Sequence, residues 1–161
     1  MVAKDVSCRK PHKAGVRGSM SDVVQQPPDQ ANSALLELRM WLFIREDLPM
    51  PPGKLAAQAG HGFGTCLWLS NDRDPGLVTT YMSHAQGKIA VGVKNEEELL
   101  KCVEACKEAG LVAVSVKDAA HTVFNKPTYT VGAVGPCYKN DLPKRVSRLR
   151  LFEDWRSPRR E

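Results

Sequence analysis

Two adjacent prolines, Pro51 and Pro52, precede Gly53 and separate two apolar segments of the chain. Proline has a fixed φ and no backbone N–H, so a proline pair cannot lie inside a helix or a central strand. The segment before it, 38–45, is short, apolar and partly aromatic, which is typical of a buried strand. The segment after it, about 54–69, predicts a helix. The prolines therefore mark a strand-to-helix connection, which is the repeating unit of α/β domains.

Strands and helices continue to alternate along the rest of the chain. Asn95 can cap a helix that Gly110 ends, and Glu98 completes a capping box. The other predicted elements are strands at 88–94, 111–116 and 128–134 and helices at 77–84 and 141–150. This order predicts an α/β fold: a single three-layer domain, in which a small mixed β-sheet of about four strands is covered by helices on both faces.

Length and composition fit one domain with two tails. The chain has 161 residues, of which 42% are hydrophobic and 25% charged. No segment approaches the roughly 18 to 20 apolar residues that span a membrane, so no membrane contact is expected. Residues 1–34 lack periodicity and are rich in Gly, Pro, Gln, Asn and Ser, which predicts a disordered N-terminal tail. We place the domain at 35–152 and a basic C-terminal tail at 153–161.

Cysteine usage and the N-terminus bear on the cellular compartment. The five cysteines form no CxxC pair, and Cys102 and Cys106 share one stripe of a predicted helix, as buried thiols of a cytosolic protein do. The first 18 residues are basic and lack the apolar core of a signal peptide. A mitochondrial presequence is the alternative, although Pro11 opposes the amphipathic helix it needs. We expect a cytoplasmic protein.

The formal net charge of +5 is unevenly distributed. Residues 35–138 carry ten Lys and Arg against eleven Asp and Glu, whereas residues 139–161 carry eight against four. A near-neutral body with a basic end suits a polyanionic partner such as a nucleic acid, because phosphate contacts supply sequence-independent affinity. A solvated basic tail is the alternative interpretation.

The helix after the prolines carries the first candidate site. A polar ridge recurs at helical spacing, beside an apolar ridge of Ala56, Ala59, Phe63 and Leu67. The glycines of this helix suggest that a backbone or a ligand approaches closely. A simple solvated face is the alternative. The ridge consists of Lys54, Gln58, His61 and Thr65.

The second candidate site follows the third predicted strand. Asp118, His121 and Thr122 stand just beyond its carboxyl end, which is the usual ligand position in α/β sheets. Asp118 could orient or deprotonate a group there, and His121 could titrate near neutral pH. Asp and Thr are also good turn formers, so an ordinary loop remains the alternative.

Both candidate sites fall in segments that resemble the peptidyl-tRNA hydrolase 2 family. The first family signature, roughly DLxMxxGKxAAQxxHA, is matched by Asp47, Leu48, Met50, Gly53, Lys54, Ala56, Ala57, Gln58 and His61. The second, roughly DAGRTQxxxGTxTVLAIGP, is matched by Asp118, Ala119, Thr122, Thr128, Thr130, Val131, Ala133, Gly135 and Pro136. The resemblance covers about residues 38–152.

The second signature also contains departures from the family pattern. The family's Gly, Arg and Gln are replaced by Ala120, His121 and Val123, and its later Gly by Pro127. Loss of the Arg removes a bidentate phosphate ligand that a histidine cannot fully replace. A catalytically weak or inactive domain that binds RNA or a protein is therefore the alternative to an active enzyme.

The resemblance implies hydrolysis of the ester between peptide and tRNA in peptidyl-tRNA, which recycles tRNA for translation. It implies Lys54, Asp118, Thr122 and His61 as catalytic residues. Lys54 would stabilise an oxyanion or a phosphate, Asp118 would orient or activate water, and His61 would position the other groups. Substrate binding falls to Gln58, Lys117, His121 and Arg148. The resemblance also implies a homodimer, and we expect neither a metal nor an organic cofactor.

Overall fold

The chain folds around one mixed four-stranded sheet, as the sequence predicts. A computed structural model describes residues 38–119 and 125–153, so the N-terminal tail predicted at 1–34 lies outside it, as does the tail predicted at 153–161 apart from its first residue. The strands are β1 (Leu38–Arg45), β2 (Gly87–Val93), β3 (Ala113–Asp118) and β4 (Thr128–Tyr138). Their order is β2-β1-β4-β3; β2 runs parallel to β1, and β4 runs antiparallel to both β1 and β3.

Helices cover both faces of this sheet, which confirms the three-layer prediction. On one face lie α1 (Pro52–Arg73) and α2 (Pro75–Ser83); on the other lie α3 (Glu96–Glu108) and a single turn, α4 (Lys144–Ser147). Pro52 takes the first position of α1, where its missing N–H would have had no helical partner. Within the described ranges, no helix combines the length and apolar character that crossing a bilayer requires.

Alternating side chains of β1 divide the core into two layers. Met40 and Leu42 pack beneath α1, whereas Trp41 and Phe43 pack beneath α3. The predicted burial of the helical cysteines is confirmed: Cys102 and Cys106 are fully buried in the α3 layer. Burial raises the pKa of the Cys102 thiol to about 11 and that of Cys106 to about 12, so both stay protonated at neutral pH.

The predicted apolar ridge of α1 is confirmed at three of its four positions. Ala59, Phe63 and Leu67 pack against the core, whereas Ala56 is exposed. The most deeply buried stripe lies beside this ridge and consists of Gln58, Gly62, Cys66 and Ser70. A Cβ on Gly62 would lie 3.3 Å from the Cβ of Ala133, so glycine here lets the helix pack closely on β4. Small and polar residues thus form the closest part of the contact with the sheet, and the apolar ridge beside them packs against the same core.

The helix predicted at 141–150 is wrong over most of its length. A 3-10 turn covers Lys139–Asp141, α4 covers Lys144–Ser147, and the chain then becomes extended along the outer edge of β2. The backbone N–H of Gly92 donates to the Arg150 carbonyl at 3.0 Å, and the Phe152 N–H donates to Ala90 at 3.0 Å. Pairing with the free edge of β2 overrides the helical spacing of the apolar residues.

Candidate active site

The two candidate segments meet at the carboxyl edge of the sheet. Lys54 lies in the first turn of α1, which follows β1, and Asp118 is the last residue of β3. The Lys54 ammonium contacts the Asp118 carboxylate, and their side chains are only 14% and 8% exposed. Strands β1 and β3 are parallel but not adjacent, because β4 lies between them. The contact therefore spans β4 and depends on α1 lying across it.

Gln58 connects this ion pair to the centre of the sheet. Its side-chain Nε2 donates to Asp118 Oδ2 at 2.9 Å, and its Oε1 accepts a hydrogen bond from Thr130 Oγ1 at 2.8 Å. Both Gln58 and Thr130 are buried. Because an ionised carboxylate can only accept, Asp118 takes the amide nitrogen, and the Thr130 hydroxyl, which can donate or accept, donates to the amide oxygen.

Thr130 is a residue of this site that the sequence did not single out as functional. It belongs to the matched second signature, and its position on β4 places its side chain toward α1. Strand alternation could have shown which face it occupies. It could not show which helix residue lies opposite, because that depends on how α1 packs on the sheet.

An open cavity of about 400 Å³ borders the Lys54–Asp118 pair. His61 is exposed at its rim, about two helical turns after Lys54 on α1, and is not part of the buried network. Lys117 is also exposed, with Nζ 5.2 Å from the centre of the Tyr129 ring. The lining consists of Lys54, Gln58, His61, Val116, Lys117, Asp118 and Ala119. The Lys54 ammonium and the exposed His61 therefore border a space large enough for part of a substrate, whereas the Lys117 ammonium lies over Tyr129, which packs against the α3 layer.

The remaining predicted site residues do not join this cluster in the structure. Thr122 and His121 lie outside the described residues, so their roles stay predictions. Arg148 follows α4 on the opposite face of the sheet and does not line the cavity. Within 38–119 and 125–153, no three His, Cys, Asp or Glu side chains are placed to hold a metal ion. The expectation that no cofactor is needed likewise stays a prediction.

A second polar cluster holds the loop that leads into α1. The Arg45 guanidinium, which is buried, donates to both carboxylate oxygens of Asp47, at 2.9 and 2.8 Å, and to Glu96 at 2.7 Å. The hydrogen bond from Arg45 lowers the pKa of the Asp47 carboxyl, and the same bond raises the pKa of Arg45. This cluster fixes the loop from β1 to Lys54, and the matched Asp47 of the first signature belongs to it.

The fold and the site define a three-layer α/β protein with a Lys–Gln–Asp cluster beside an open cavity. The model of the peptidyl-tRNA hydrolase PTH2 family matches residues 38–152, which is all but one residue of the described structure. The chain belongs to this family.

Individual relatives are similar to the chain over the same region. The peptidyl-tRNA hydrolase of Methanocaldococcus jannaschii is 31% identical over 115 residues, which is 71% of this chain and 100% of that protein. The probable peptidyl-tRNA hydrolase 2 of Drosophila melanogaster is 34% identical over 71% of this chain and 61% of its own length. The mitochondrial peptidyl-tRNA hydrolase 2 of Bos taurus is 29% identical over 82% of this chain and 76% of its own length.

Proposed function

We propose that this chain is a peptidyl-tRNA hydrolase, a carboxylic ester hydrolase that frees tRNA from peptidyl-tRNA so that translation can reuse it. The contact between Lys54 and Asp118 beside the cavity carries the proposal, because it joins the two signature segments at one point. Family membership and relatives that are themselves named peptidyl-tRNA hydrolases support it.

The reaction needs an attacking water, stabilisation of the tetrahedral oxyanion and a proton for the departing 3′-ribose hydroxyl. Asp118 is the carboxylate available to orient or activate the water. Lys54 supplies a positive charge for the oxyanion or a nearby phosphate, and its contact with Asp118 holds both groups at the cavity. Gln58 fixes the orientation of Asp118 through its 2.9 Å hydrogen bond.

Residues at the cavity rim serve positioning and substrate binding in this proposal. His61 is placed to orient a bound group, and Lys117 offers an exposed cation for tRNA phosphate. Thr122 completes the catalytic set and His121 the substrate-binding set by the family resemblance. Arg148 contributes to tRNA binding from the basic C-terminal segment.

Charge-neutral variants of the buried pair test the proposal while each keeps a polar side chain at its position. The assay measures release of the N-acetyl-amino acid from N-acetyl-aminoacyl-tRNA. Lys54→Gln and Asp118→Asn should each lower its kcat/KM by at least about tenfold, which corresponds to about 1.4 kcal/mol of transition-state stabilisation. The double variant should lose less than the product of the single effects, because the two residues act as a unit.

An exposed ion pair on α3 provides the matched control. Lys101→Gln and Glu97→Gln break a surface pair on the opposite face and should leave kcat/KM unchanged. Thermal unfolding of each variant separates lost activity from lost folding. If the wild-type protein binds tRNA but releases no acyl group, the hydrolase assignment is wrong.

We also propose that the protein is a cytoplasmic homodimer. Four buried free cysteines, Cys66, Cys102, Cys106 and Cys137, fit a reducing compartment. The homodimer follows from the family resemblance alone. Cell fractionation with a mitochondrial marker tests the location, since two relatives are named as mitochondrial. Sedimentation equilibrium tests the dimer.

A further inference from the structure

The two edges of the sheet differ in what covers them. The outer edge of β2 is covered by the chain's own segment 150–152, whose backbone pairs with Ala90 and Gly92. β3, at the other edge, pairs only with β4 within the described residues. Exposed edges are usually protected by lysine, proline or a bulge, because a bare edge pairs with other chains. Residues 113–116 of β3 are uncharged and contain neither lysine nor proline.

Backbone hydrogen bonds identify which groups of β3 point outward. The Gly135 N–H donates to the Val112 carbonyl at 3.0 Å, so Val112 directs its backbone groups toward β4. Because this direction alternates along an antiparallel strand, Ala113, Ser115 and Lys117 direct their N–H and C=O groups away from β4. The register shift near the end of β3 leaves the alternation intact, because the extra residue lies on β4.

We propose that a second copy of this chain covers this edge, through antiparallel pairing of β3 with β3 of the partner subunit about a two-fold axis at Ser115. The inference rests on the proposed homodimer and adds its interface. In this register Ser115 lies opposite Ser115 of the partner subunit, and Ala113 lies opposite the partner's Lys117, so every outward N–H and C=O of these residues gains a partner. A two-fold interface must be complementary to itself, and this register places no like charges opposite each other.

Side chains on both faces of the sheet fit the register. Val114 and Val116 are half-buried on the α1 face, and each lies opposite the other residue of the partner subunit as a β-branched pair. Ala113 belongs to the α3 layer, so strand alternation places Ser115 on that face as well. The two Ser115 hydroxyls therefore lie opposite each other and can exchange a hydrogen bond.

One side of α1 faces the same edge and enlarges the interface. Arg73 donates to the Gly110 carbonyl at 2.8 Å, shortly before β3 begins, which places this side of α1 toward β3. Leu69 and Thr65 lie about one and two turns before Arg73 on the same side, and both are exposed. Leu69 can therefore contact α1 of the partner subunit, whereas Trp68 points away from the sheet.

The register also brings a cation of each copy to the candidate active site of the other. It places Val112 of the partner subunit opposite Asp118, which lines the cavity. Gly110, whose carbonyl holds Arg73, shortly precedes Val112 in the chain. Arg73 of the partner subunit therefore lies near the mouth of the cavity, where its guanidinium can bind a phosphate of the tRNA. Each site is then complete only in the dimer.

Cross-linking tests the register. Residues opposite each other in a hydrogen-bonded antiparallel pair have Cα atoms about 5.5 Å apart, which is within the range of a disulfide. In a Cys8→Ser background the four remaining cysteines are buried, so an introduced thiol is the reactive one. Ser115→Cys should give a covalent dimer with mild oxidation or a short bis-maleimide, and Lys101→Cys on the exposed face of α3 should not. If both variants cross-link equally, or Ser115→Cys not at all, the interface lies elsewhere.

A charge at the two-fold axis tests the same contact by dissociation. Ser115→Lys places like charges opposite each other, and it should raise the dimer dissociation constant at least about tenfold in sedimentation equilibrium. Circular dichroism should show a folded chain, because lysine is common on edge strands. Trp68→Lys is the control and should leave the dissociation constant unchanged, because Trp68 is 71% exposed on the outward side of α1. Dissociation by Trp68→Lys alone would move the interface to that side and overturn the inference.

Activity of the dimer tests the contribution of Arg73. Arg73→Ala should raise KM for N-acetyl-aminoacyl-tRNA about three- to tenfold, and Arg73→Lys should restore most of it. In the dissociated Ser115→Lys background the same alanine substitution should change KM by less than about twofold, because the partner's Arg73 is already absent. An equal effect in both backgrounds would assign Arg73 to its own copy and contradict the register. A monomeric wild-type protein also overturns the inference, whereas its release of the acyl group reports separately on the hydrolase proposal.

Discussion

Gln58 lies on the inner face of α1, where a buried amide needs hydrogen-bond partners for both its oxygen and its nitrogen. Thr130 provides the donor for the oxygen, and the Asp118 carboxylate accepts from the nitrogen. Since the carboxylate can only accept, it takes the amide nitrogen, and the hydroxyl on β4 supplies the donor that the amide oxygen then needs. The network that holds the candidate catalytic carboxylate therefore includes a residue that does not line the cavity.

Removal of the Thr130 hydroxyl should disturb the position of Asp118 through Gln58. Thr130→Val keeps the side-chain shape but leaves the buried Gln58 oxygen without this donor, which should cost about 1–3 kcal/mol in the free energy of unfolding. We expect kcat to fall several-fold with little change in KM, measured on N-acetyl-aminoacyl-tRNA. Thr128→Val is the control, because its hydroxyl bonds the Lys126 carbonyl and not Gln58. Equal kcat values for the two variants would contradict this role of Thr130.

The Arg45–Asp47 pair should make the free energy of unfolding depend on pH in the acidic range. Its hydrogen bond lowers the folded-state pKa of Asp47 below the ordinary value of 3.8, so the pair contributes stability that is fully present above that value and lost as the pH falls through the folded pKa. Asp47→Asn should therefore lower the free energy of unfolding at pH 7, and the difference from wild type should shrink by pH 3. Urea unfolding at both pH values measures this. A difference that is the same at both values would contradict the assignment.

At the scale of elements, the strands follow the sequence more closely than the helices do. β1 has the predicted bounds, Leu38–Arg45, because a short apolar run between polar residues leaves little choice. The last helix fails because Pro143 delays its start and the chain after Ser147 pairs with β2, a distant partner that local spacing does not reveal. For α1, the apolar ridge is correct at Ala59, Phe63 and Leu67, but hydrophobicity alone does not reveal that Gly62 and Ser70 are buried by close packing.

The glycines of α1 should respond differently to alanine. A Cβ at Gly60 meets nothing within 4 Å, so Gly60→Ala should raise the free energy of unfolding by up to about 1 kcal/mol through helix propensity alone. At Gly62 the same Cβ would stand 3.3 Å from both Ala133 and Leu42, so the gain should be cancelled or reversed. Thermal unfolding of both variants, with Gly64→Ala as a second open position, measures the difference. Equal stabilisation at Gly60 and Gly62 would mean that the sheet shifts freely.

At the scale of the whole molecule, the basic C-terminal segment lies apart from the candidate active site. The candidate site lies at the carboxyl edge of the sheet beneath α1, while the basic α4 lies on the opposite face against α3. Composition revealed the excess of cations after residue 139 but not which face they occupy. That placement depends on the chain crossing the sheet after β4, which only the three-dimensional fold shows.

The domain boundaries remain a prediction that protease digestion can test. The family match and the packed sheet both span 38–152. Limited trypsin digestion should trim the chain to a resistant core near residues 36–152, because residues 1–34 lack a core-forming pattern and carry five Lys and Arg. Mass spectrometry of the products identifies the ends. Persistence of a fragment that keeps residues 1–31 would contradict the predicted N-terminal tail.

The basic C-terminal segment should contribute to tRNA binding through charge. Four side chains there are exposed and distant from the cavity lining: Lys144, Arg145, Arg148 and Arg150. Their replacement with alanine should weaken tRNA affinity and flatten its dependence on salt, because binding then displaces fewer counterions from the RNA. Each phosphate contact that is lost should reduce the magnitude of the slope of log K against log salt by about 0.7 to 0.9. Filter binding at several KCl concentrations measures the slope.

The salt slope, rather than affinity alone, identifies the footprint of the tRNA. A variant that is merely less stable loses binding at every salt concentration and keeps its slope, whereas loss of ionic contacts changes the slope itself. Lys88→Ala is the control, since it removes an exposed cation near the start of β2, at the opposite end of the sheet from Asp118. An unchanged slope in the quadruple variant would confine the tRNA to the cavity side and leave Lys117 as its nearest exposed cation there.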